Sequence, residues 1–351
     1  MSIAKTIGWD LGGVHVKAAL VHGRRVVEAV QVPCPLWQGV SALDGALRAL
    51  PDWAREDAVH AVTMTGELTD CFADRTAGVA ALADWASARL AGPVRIFAGR
   101  GGFVAPADAA GVAGDIASAN WYATALLVGR FVPDALVVDV GSTTADLIPV
   151  LAGRPAATGY SDAERLETGE LVYTGVVRTP LIGLTDHAPF RGRRTRLMTE
   201  TFAHAGDVYR ILGDLPPDAD QQGTGDRKGK SVAESEARLA RVVGRDRGEG
   251  DGTAWAALAG HFAETQLRLL HDAAAVLLSR PDLPADAPLV TCGAGAFLGD
   301  RLAARLGRRR TGLSELLHAR SGVEAAGSVS SWISTCGPAV AVGLIAEDVV
   351  P

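Results

Sequence analysis

The 351-residue chain is poor in cysteine, in lysine and in long apolar runs, and each shortage closes off a class of function. Its four cysteines, Cys34, Cys71, Cys292 and Cys336, are scattered and form no Cys-x-x-Cys pair, so neither a disulfide framework nor a zinc site is expected. Cys292 and Cys336 each precede a glycine and read as small buried turn residues. Lysine occurs 4 times against 30 arginines; with abundant Ala and Gly this is the bias of a GC-rich genome, in which arginine clusters say little and a well-placed lysine says more. A net charge of −6 and a pI near 5.8 give no electrostatic case for nucleic acid or an anionic membrane as partner. No segment approaches the roughly 20 apolar residues of a membrane span, and the apolar segment 338–346 is far too short. The N-terminus enters an apolar strand without the layout of a signal peptide, so a cytoplasmic location is expected. Ser-His-Asp order, His-Glu-x-x-His and the Walker A pattern are missing, which leaves acyl hydrolysis, zinc proteolysis and P-loop ATP hydrolysis without support.

What is present reads as a soluble globular chain, 48% hydrophobic and 21% charged, long enough for two domains with their own cores. Strands are predicted over 6–11, 16–21 and 25–32, joined by turns at Gly12-Gly13 and His22-Gly23. A helix follows near 40–50, then a strand at 58–64, a long helix from about 69 to 90 and a strand at 94–98. An Ala-rich amphipathic helix is predicted over 113–130. The opening pattern then recurs, with a strand into Asp139-Val140-Gly141, a tight turn, a strand over 146–150 and a third strand after Ala152-Gly153-Arg154. Both meanders place Asp-x-Gly at the end of a buried strand, with Asp10 and Asp139 standing 129 residues apart, which is a duplication signal. The expected lobes are 1–130 and 131–351. In the second, helices are predicted at 197–212, 232–243 and 255–279. The polar stretches 214–230 and 244–252 read as exposed or mobile loops, and 191–196 as a solvated arginine-rich loop. A strand at 289–291 enters the Gly-rich turn 292–296, and an apolar helix over 336–346 closes the chain.

An Asp-x-Gly turn closing a strand suits phosphate chemistry twice over. Missing Cβ atoms let backbone N–H groups approach an anion, and the carboxylate can hold Mg²⁺ while phosphate oxygens and water complete its shell. In turn one, Asp10 is the metal candidate, Gly12 and Gly13 the cradle, and Lys17 a cation for phosphate; His15 is a neighbouring contact. In turn two, Asp139 and Asp146 are the carboxylates, and Gly141, Ser142, Thr143 and Thr144 offer N–H groups and hydroxyls. Gly293 and Gly295 are further phosphate-binding candidates. The tetrapeptide Thr65-Gly66-Glu67-Leu68 recurs as Thr168-Gly169-Glu170-Leu171, beside which Glu170, Tyr173 and Arg178 are candidates for polar contacts near a cleft.

These turns, the Gly-rich turn and the closing helix resemble the pattern shared by actin, hexokinase-like sugar kinases and heat-shock chaperone ATPases. That resemblance implies a two-lobed, duplicated, ribonuclease H-like α/β fold with a central cleft. More narrowly, IGWDLGGVHVKAA, VTMTGELTD, SANWYATA, VVDVGSTTADLIPV and ERLETGELVYTGVVRTPL resemble the hydantoinase/oxoprolinase-related family linked to tetrahydromethanopterin-dependent C1 transfer. The resemblance implies a role in methanofuran or methylofuran biosynthesis: joining an aminomethylfuran-methyl diphosphate to the phenol of γ-glutamyltyramine, or of a tyrosine analogue, with release of diphosphate. Mg²⁺ on Asp10 with Asp139 or Asp146, together with Lys17, would meet the leaving charge, and Glu170, Asp146 and His15 are candidate bases. Small-molecule diphosphate and phenolic substrates are the implied partners, and a homodimer is compatible. An ATP-dependent kinase or amidohydrolase and a nucleotide-gated actin-like regulator are the alternatives.

Overall fold

A computed structural model describes residues 5–321 and 332–348. Its first sheet starts from β1 (Thr6–Leu11), every residue of which is buried, as befits a central strand covered on both faces. β2 (His15–His22) and β3 (Arg25–Pro33) complete an antiparallel meander. After α1 (Ala42–Ala49), β4 (Val59–Met64) pairs parallel with β1; after α2 (Arg75–Arg89), β5 (Val94–Phe97) pairs parallel with β4. β6 (Phe103–Val104) closes the order β3-β2-β1-β4-β5-β6. The expected helix from 69 begins at Arg75 instead, where the Asp74 side chain caps it by accepting from the Ala77 N–H; residues 66–68 form a 3₁₀ turn.

The single helix expected over 113–130 is two, α3 (Ala113–Ile116) and α4 (Asn120–Gly129). Between them Ser118 adopts φ +54°, a left-handed conformation no helix continues through. The second meander follows as β7 (Ala135–Val140) and β8 (Ala145–Leu151). Its third strand is split. β9 (Arg154–Pro155) pairs with the far end of β8, and β10 (Leu171–Val172) with its near end, with α5 (Asp162–Thr168) inserted between them.

An elaboration comes next: the hairpin β11 (His187–Phe190) and β12 (Arg193–Arg196), then α6 (Ala205–Leu212), α7 (Val232–Val242) and the 27-residue α8 (Gly252–Leu278). The segment expected as a solvated loop is thus partly a strand, and the helix expected from 197 starts only at Ala205. The 214–230 segment is irregular but anchored. Asp220 pairs with Arg210 and Lys230, Asp226 with Arg238, and Gln221 and Gln222 reach across to the Gln31 and Val14 carbonyls of the first lobe.

β13 (Leu289–Cys292) pairs parallel with β7, and after α9 (Ala296–Arg305), β14 (Arg310–Gly312) pairs parallel with β13. Helix α10 (Leu313–Ser321) follows, and α11 (Gly337–Glu347) closes the chain. The second sheet therefore repeats the first: antiparallel third, second and first strands, then two parallel ones. This is the two-lobed, duplicated actin/hexokinase-like α/β fold. Each lobe has its own core, and a third core between them is built from α4 and α11. Helix α11 crosses β1 at Gly8, where a Cβ would lie 1.9 Å from the Ala339 carbonyl oxygen. That close crossing explains the small residues of this helix; its buried Val340, Val342, Leu344 and Ile345 each contribute roughly 1.5–3 kcal/mol of apolar burial.

Candidate functional site

The ends of β1 and β7 converge on a cavity of about 640 Å³ between the lobes. In β1–β2, Asp10 stands opposite Lys17; in β7–β8, Asp139 stands opposite Asp146. The turns between them are closed by the same hydrogen bond, Gly12 N–H to the His15 carbonyl and Gly141 N–H to the Thr144 carbonyl. The duplication seen in sequence is thus a duplication of hairpin geometry, and both copies line one cavity. Among the described residues the N–H groups of Gly13, Val14, Ser142 and Thr143 donate to no protein acceptor, which leaves them for an anion.

Of the residues singled out from sequence, Asp10, Gly12, Gly13, His15, Lys17, Asp139, Gly141, Ser142, Thr143, Thr144, Asp146, Tyr173 and Arg178 all line this cavity. Two expectations are corrected. Glu170 is fully buried away from it, accepting from the N–H groups of Thr158 and Gly159 and from the Thr158 and Thr168 hydroxyls; it ties a loop and is no base for a substrate. Gly293 and Gly295 are not among the residues that line the cavity. A Cβ at 293 would sit 2.2 Å from the Val140 carbonyl oxygen, and one at 295 lies 2.6 Å from Val176, so these glycines serve packing. Their turn is the counterpart of Thr65-Gly66: the Thr65 N–H donates to the Leu11 carbonyl and the Gly295 N–H to the equivalent Val140 carbonyl. Asp146 is ion-paired with Arg165 through Oδ1, which leaves Asp139 as the second-turn carboxylate without an arginine partner.

The electrostatics separate the roles further. Lys17 Nζ donates to Asp10 Oδ2 at 3.3 Å. Burial alone would lower the Lys17 pKa, but Asp10 and Asp139 more than offset it and hold the ammonium charged. Burial, then the charge of Asp146, pushes Asp139 up to about 7. Asp146 is also raised by burial, against the pull of Arg165. His15 is lowered to about 3 by burial and by Lys17 and Arg178; it is neutral and offers hydrogen bonds, not charge. Among the described residues no three His, Cys, Asp or Glu side chains cluster as a metal cage. Mg²⁺ needs none when one or two carboxylates act with phosphate oxygens and water. Asp10 Oδ1, buried and without a hydrogen-bond partner, and Asp139 across the cavity fit that pattern.

Other lining residues escaped the sequence reading: Trp37, Leu68, Ser118, Asn120, Asp162 and Arg165. Trp37 and Leu68 from the first lobe and Tyr173 from the second are exposed large apolar side chains that line the cavity together, an aromatic mouth above a charged floor. Arg165 also pairs with Asp162 at 3.0 Å and stacks over Trp121 at 4.7 Å.

The hydantoinase/oxoprolinase family model matches residues 58–327. The chain belongs to that family. Among curated relatives, the (4-{4-[2-(gamma-L-glutamylamino)ethyl]phenoxymethyl}furan-2-yl)methanamine synthase of Methanocaldococcus jannaschii is 33% identical over 242 residues, covering 69% of this chain and 72% of the relative. The synthase of the same name from Methanococcus vannielii is 35% identical over 113 residues, covering 32% of this chain and 50% of that relative. The chain is accordingly a homologue of named biosynthetic enzymes. Among solved structures, a ROK family glucokinase from Streptomyces griseus aligns over 97% of this chain and 98% of its own, with 13% identity and a TM-score of 0.48. Component A of the Acidaminococcus fermentans (R)-2-hydroxyglutaryl-CoA dehydratase aligns over 98% of both, with 11% identity and a TM-score of 0.46. No helix among the described residues is long and apolar enough to cross a membrane.

Proposed function

We propose that this member of the hydantoinase/oxoprolinase family is a transferase of methanofuran or methylofuran biosynthesis. It joins an aminomethylfuran-methyl diphosphate to the phenol of γ-glutamyltyramine, or of a tyrosine analogue, and releases diphosphate. The observation that carries this reading is one cavity with two chemically distinct ends. The floor, with Lys17 and the open N–H groups of both turns, suits a diphosphate; the mouth, with Trp37, Leu68 and Tyr173, suits flat rings. The product for which the relatives are named, a furan joined to a phenol through a phenoxymethyl ether, has two such rings.

The chemistry follows from charge. A furan-methyl carbon losing diphosphate becomes cationic, and the leaving group gains negative charge that must be met as it forms. Lys17 and the N–H groups of Gly13, Val14, Ser142 and Thr143 face that charge. Mg²⁺, bound through Asp10 and Asp139, would add Lewis-acid stabilisation of the same oxygens. Arg178, which lines the cavity and makes no side-chain ion pair among the described residues, is suited to the carboxylate of the acceptor's glutamyl tail. The test supplies purified protein with the furan diphosphate, a phenolic acceptor and Mg²⁺. Diphosphate and the aryl ether should appear without ATP. No diphosphate with either acceptor, or substrate-dependent ADP formation in its place, overturns the proposal.

A further inference from the structure

We propose that Ser118 and Glu67 form the proton path of this reaction, Ser118 Oγ taking the acceptor's phenolic proton while passing its own to Glu67. The inference rests on the transferase reading above. A phenol ionises near 10, so a base is needed, and Glu170, one of the bases expected from sequence, is spent on its loop.

Ser118 lies in the break between α3 and α4 and lines the cavity. Its φ of +54° is strained for a non-glycine residue, and the conformation brings its hydroxyl within hydrogen-bonding distance of two carboxyl groups. These are Glu67 Oε1 at 3.0 Å and Asp162 Oδ2 at 3.2 Å. A hydroxyl has one proton to donate, so it satisfies both neighbours only when one of them is itself protonated. Asp162 has the cations: Arg165 holds its Oδ1 at 3.0 Å and Arg75 its Oδ2 at 3.2 Å. Among the described residues Glu67 makes no ion pair. It is 1% exposed, and its Oε2 is buried without a hydrogen-bond partner. The proton therefore resides on Glu67, donated to Ser118, which donates onward to Asp162.

The charged groups facing Glu67 are few. Asp162 comes from α5 with its partner Arg165, Arg75 from the start of α2 pairs with the same Asp162, and α2 lies close against Glu67 at Gly78. Burial raises Glu67 to about 7, so it both takes and returns a proton near neutral pH, where a general base works best. In the productive step Glu67 is ionised. The phenolic proton moves to Ser118 Oγ and the Ser118 hydroxyl proton to Glu67 Oε1. The phenol oxygen forms its bond to the furan-methyl carbon as the carbon–oxygen bond to diphosphate breaks, its electron pair leaving with diphosphate. After product release the proton returns through Ser118 to water in the cavity. Ser118 touches the substrate; Glu67 acts through it and is a positioning residue that stores the proton.

The experiment uses the full chain, the furan diphosphate and two acceptors, the natural phenol and a ring-fluorinated one that ionises closer to neutral. Wild-type turnover comes first, and its failure removes the transferase reading and this path together. In an active enzyme, Glu67→Gln and Ser118→Gly should each lower kcat about 10²–10⁴-fold with the natural phenol, leave KM nearly unchanged, and recover most of the loss with the fluorinated acceptor. Ser118→Gly is the safer variant, since glycine adopts the same φ without strain. Either variant turning over at the wild-type rate, or losing the same factor with both phenols, overturns the proton path and leaves the transferase reading standing.

Discussion

Glu67→Gln also has a consequence for stability that needs no substrate. The folded protein holds the Glu67 proton up to about 7, against an ordinary 4.5, because burial penalises the carboxylate. Between those values the folded state binds the proton and the unfolded state has released it, so stability falls as pH rises. Each pH unit costs about 1.4 kcal/mol, or about 3 kcal/mol across the window, and the curve flattens above 7 where both states are ionised. Asp139, also raised to about 7, contributes a slope of the same sign, so the wild-type curve alone does not isolate Glu67. The difference between wild type and Glu67→Gln does, because glutamine never ionises. Denaturant unfolding at pH 4, 5, 6, 7 and 8 should show the variant gaining on wild type by about 3 kcal/mol from the lowest to the highest pH, whatever constant offset the amide introduces. Parallel curves would refute the claim that this carboxyl is buried and protonated.

Three other substitutions separate chemistry from packing. Asp10→Asn should lower turnover at least about a thousandfold, the scale of several kcal/mol of lost leaving-group stabilisation. Its amide oxygen can still accept from Lys17, so thermal unfolding should move little; a variant that unfolds before it loses activity would count against the metal role. Gly295→Ala pushes a methyl group to 2.6 Å from Val176 and 2.7 Å from Val140, and should cost about 1–3 kcal/mol of stability by overpacking while diphosphate affinity, read by calorimetry, stays the same. Glu170→Ala leaves the N–H groups of Thr158 and Gly159 without their acceptor and should destabilise by about 3 kcal/mol, with activity per folded molecule retained.

The two meanders were legible because each announces itself locally, as a buried strand, an Asp-x-Gly turn and a second strand. The third strand expected after Ala152-Gly153-Arg154 is present as β9, but its split into two pieces was not legible. Its two pieces are two residues each, β9 and β10, too short for any alternation to register. The break at Ser118 was equally hidden, since the apolar spacing of 113–130 runs through it unbroken. What bends the chain there is tertiary, the hydroxyl's reach to Glu67 and Asp162. At 69–90 the start signal was present but misplaced, with Asp74 as the working N-cap five residues inside the expected start. The repeated Thr-Gly-Glu-Leu shows the limit most clearly. One glutamate has four donors and a structural role; the other has one hydroxyl and an orphaned oxygen. Identical tetrapeptides carry no information about partners supplied from elsewhere in the chain.

The inserted α5 connects the hidden part of the fold to the hidden part of the site. In turn one, the residue opposite Asp10 is Lys17, so that hairpin carries its own countercharge. In turn two, the matching position is Asp146, and two carboxylates face each other across the strands. Such a pair cannot stay fully ionised in a buried site without a cation, and β7 and β8 supply none. Arg165 supplies it, from the helix that splits the third strand. The same helix carries Asp162, which holds Ser118 at the cavity wall. Two halves descended from one pattern thus reach workable electrostatics by different routes, the first from within its hairpin and the second by importing an arginine. The difference leaves the site polar in a definite sense. The lysine-bearing turn faces an anion directly, whereas the turn of Asp139, with a proton held to about 7, is the side that a divalent cation or a proton must complete.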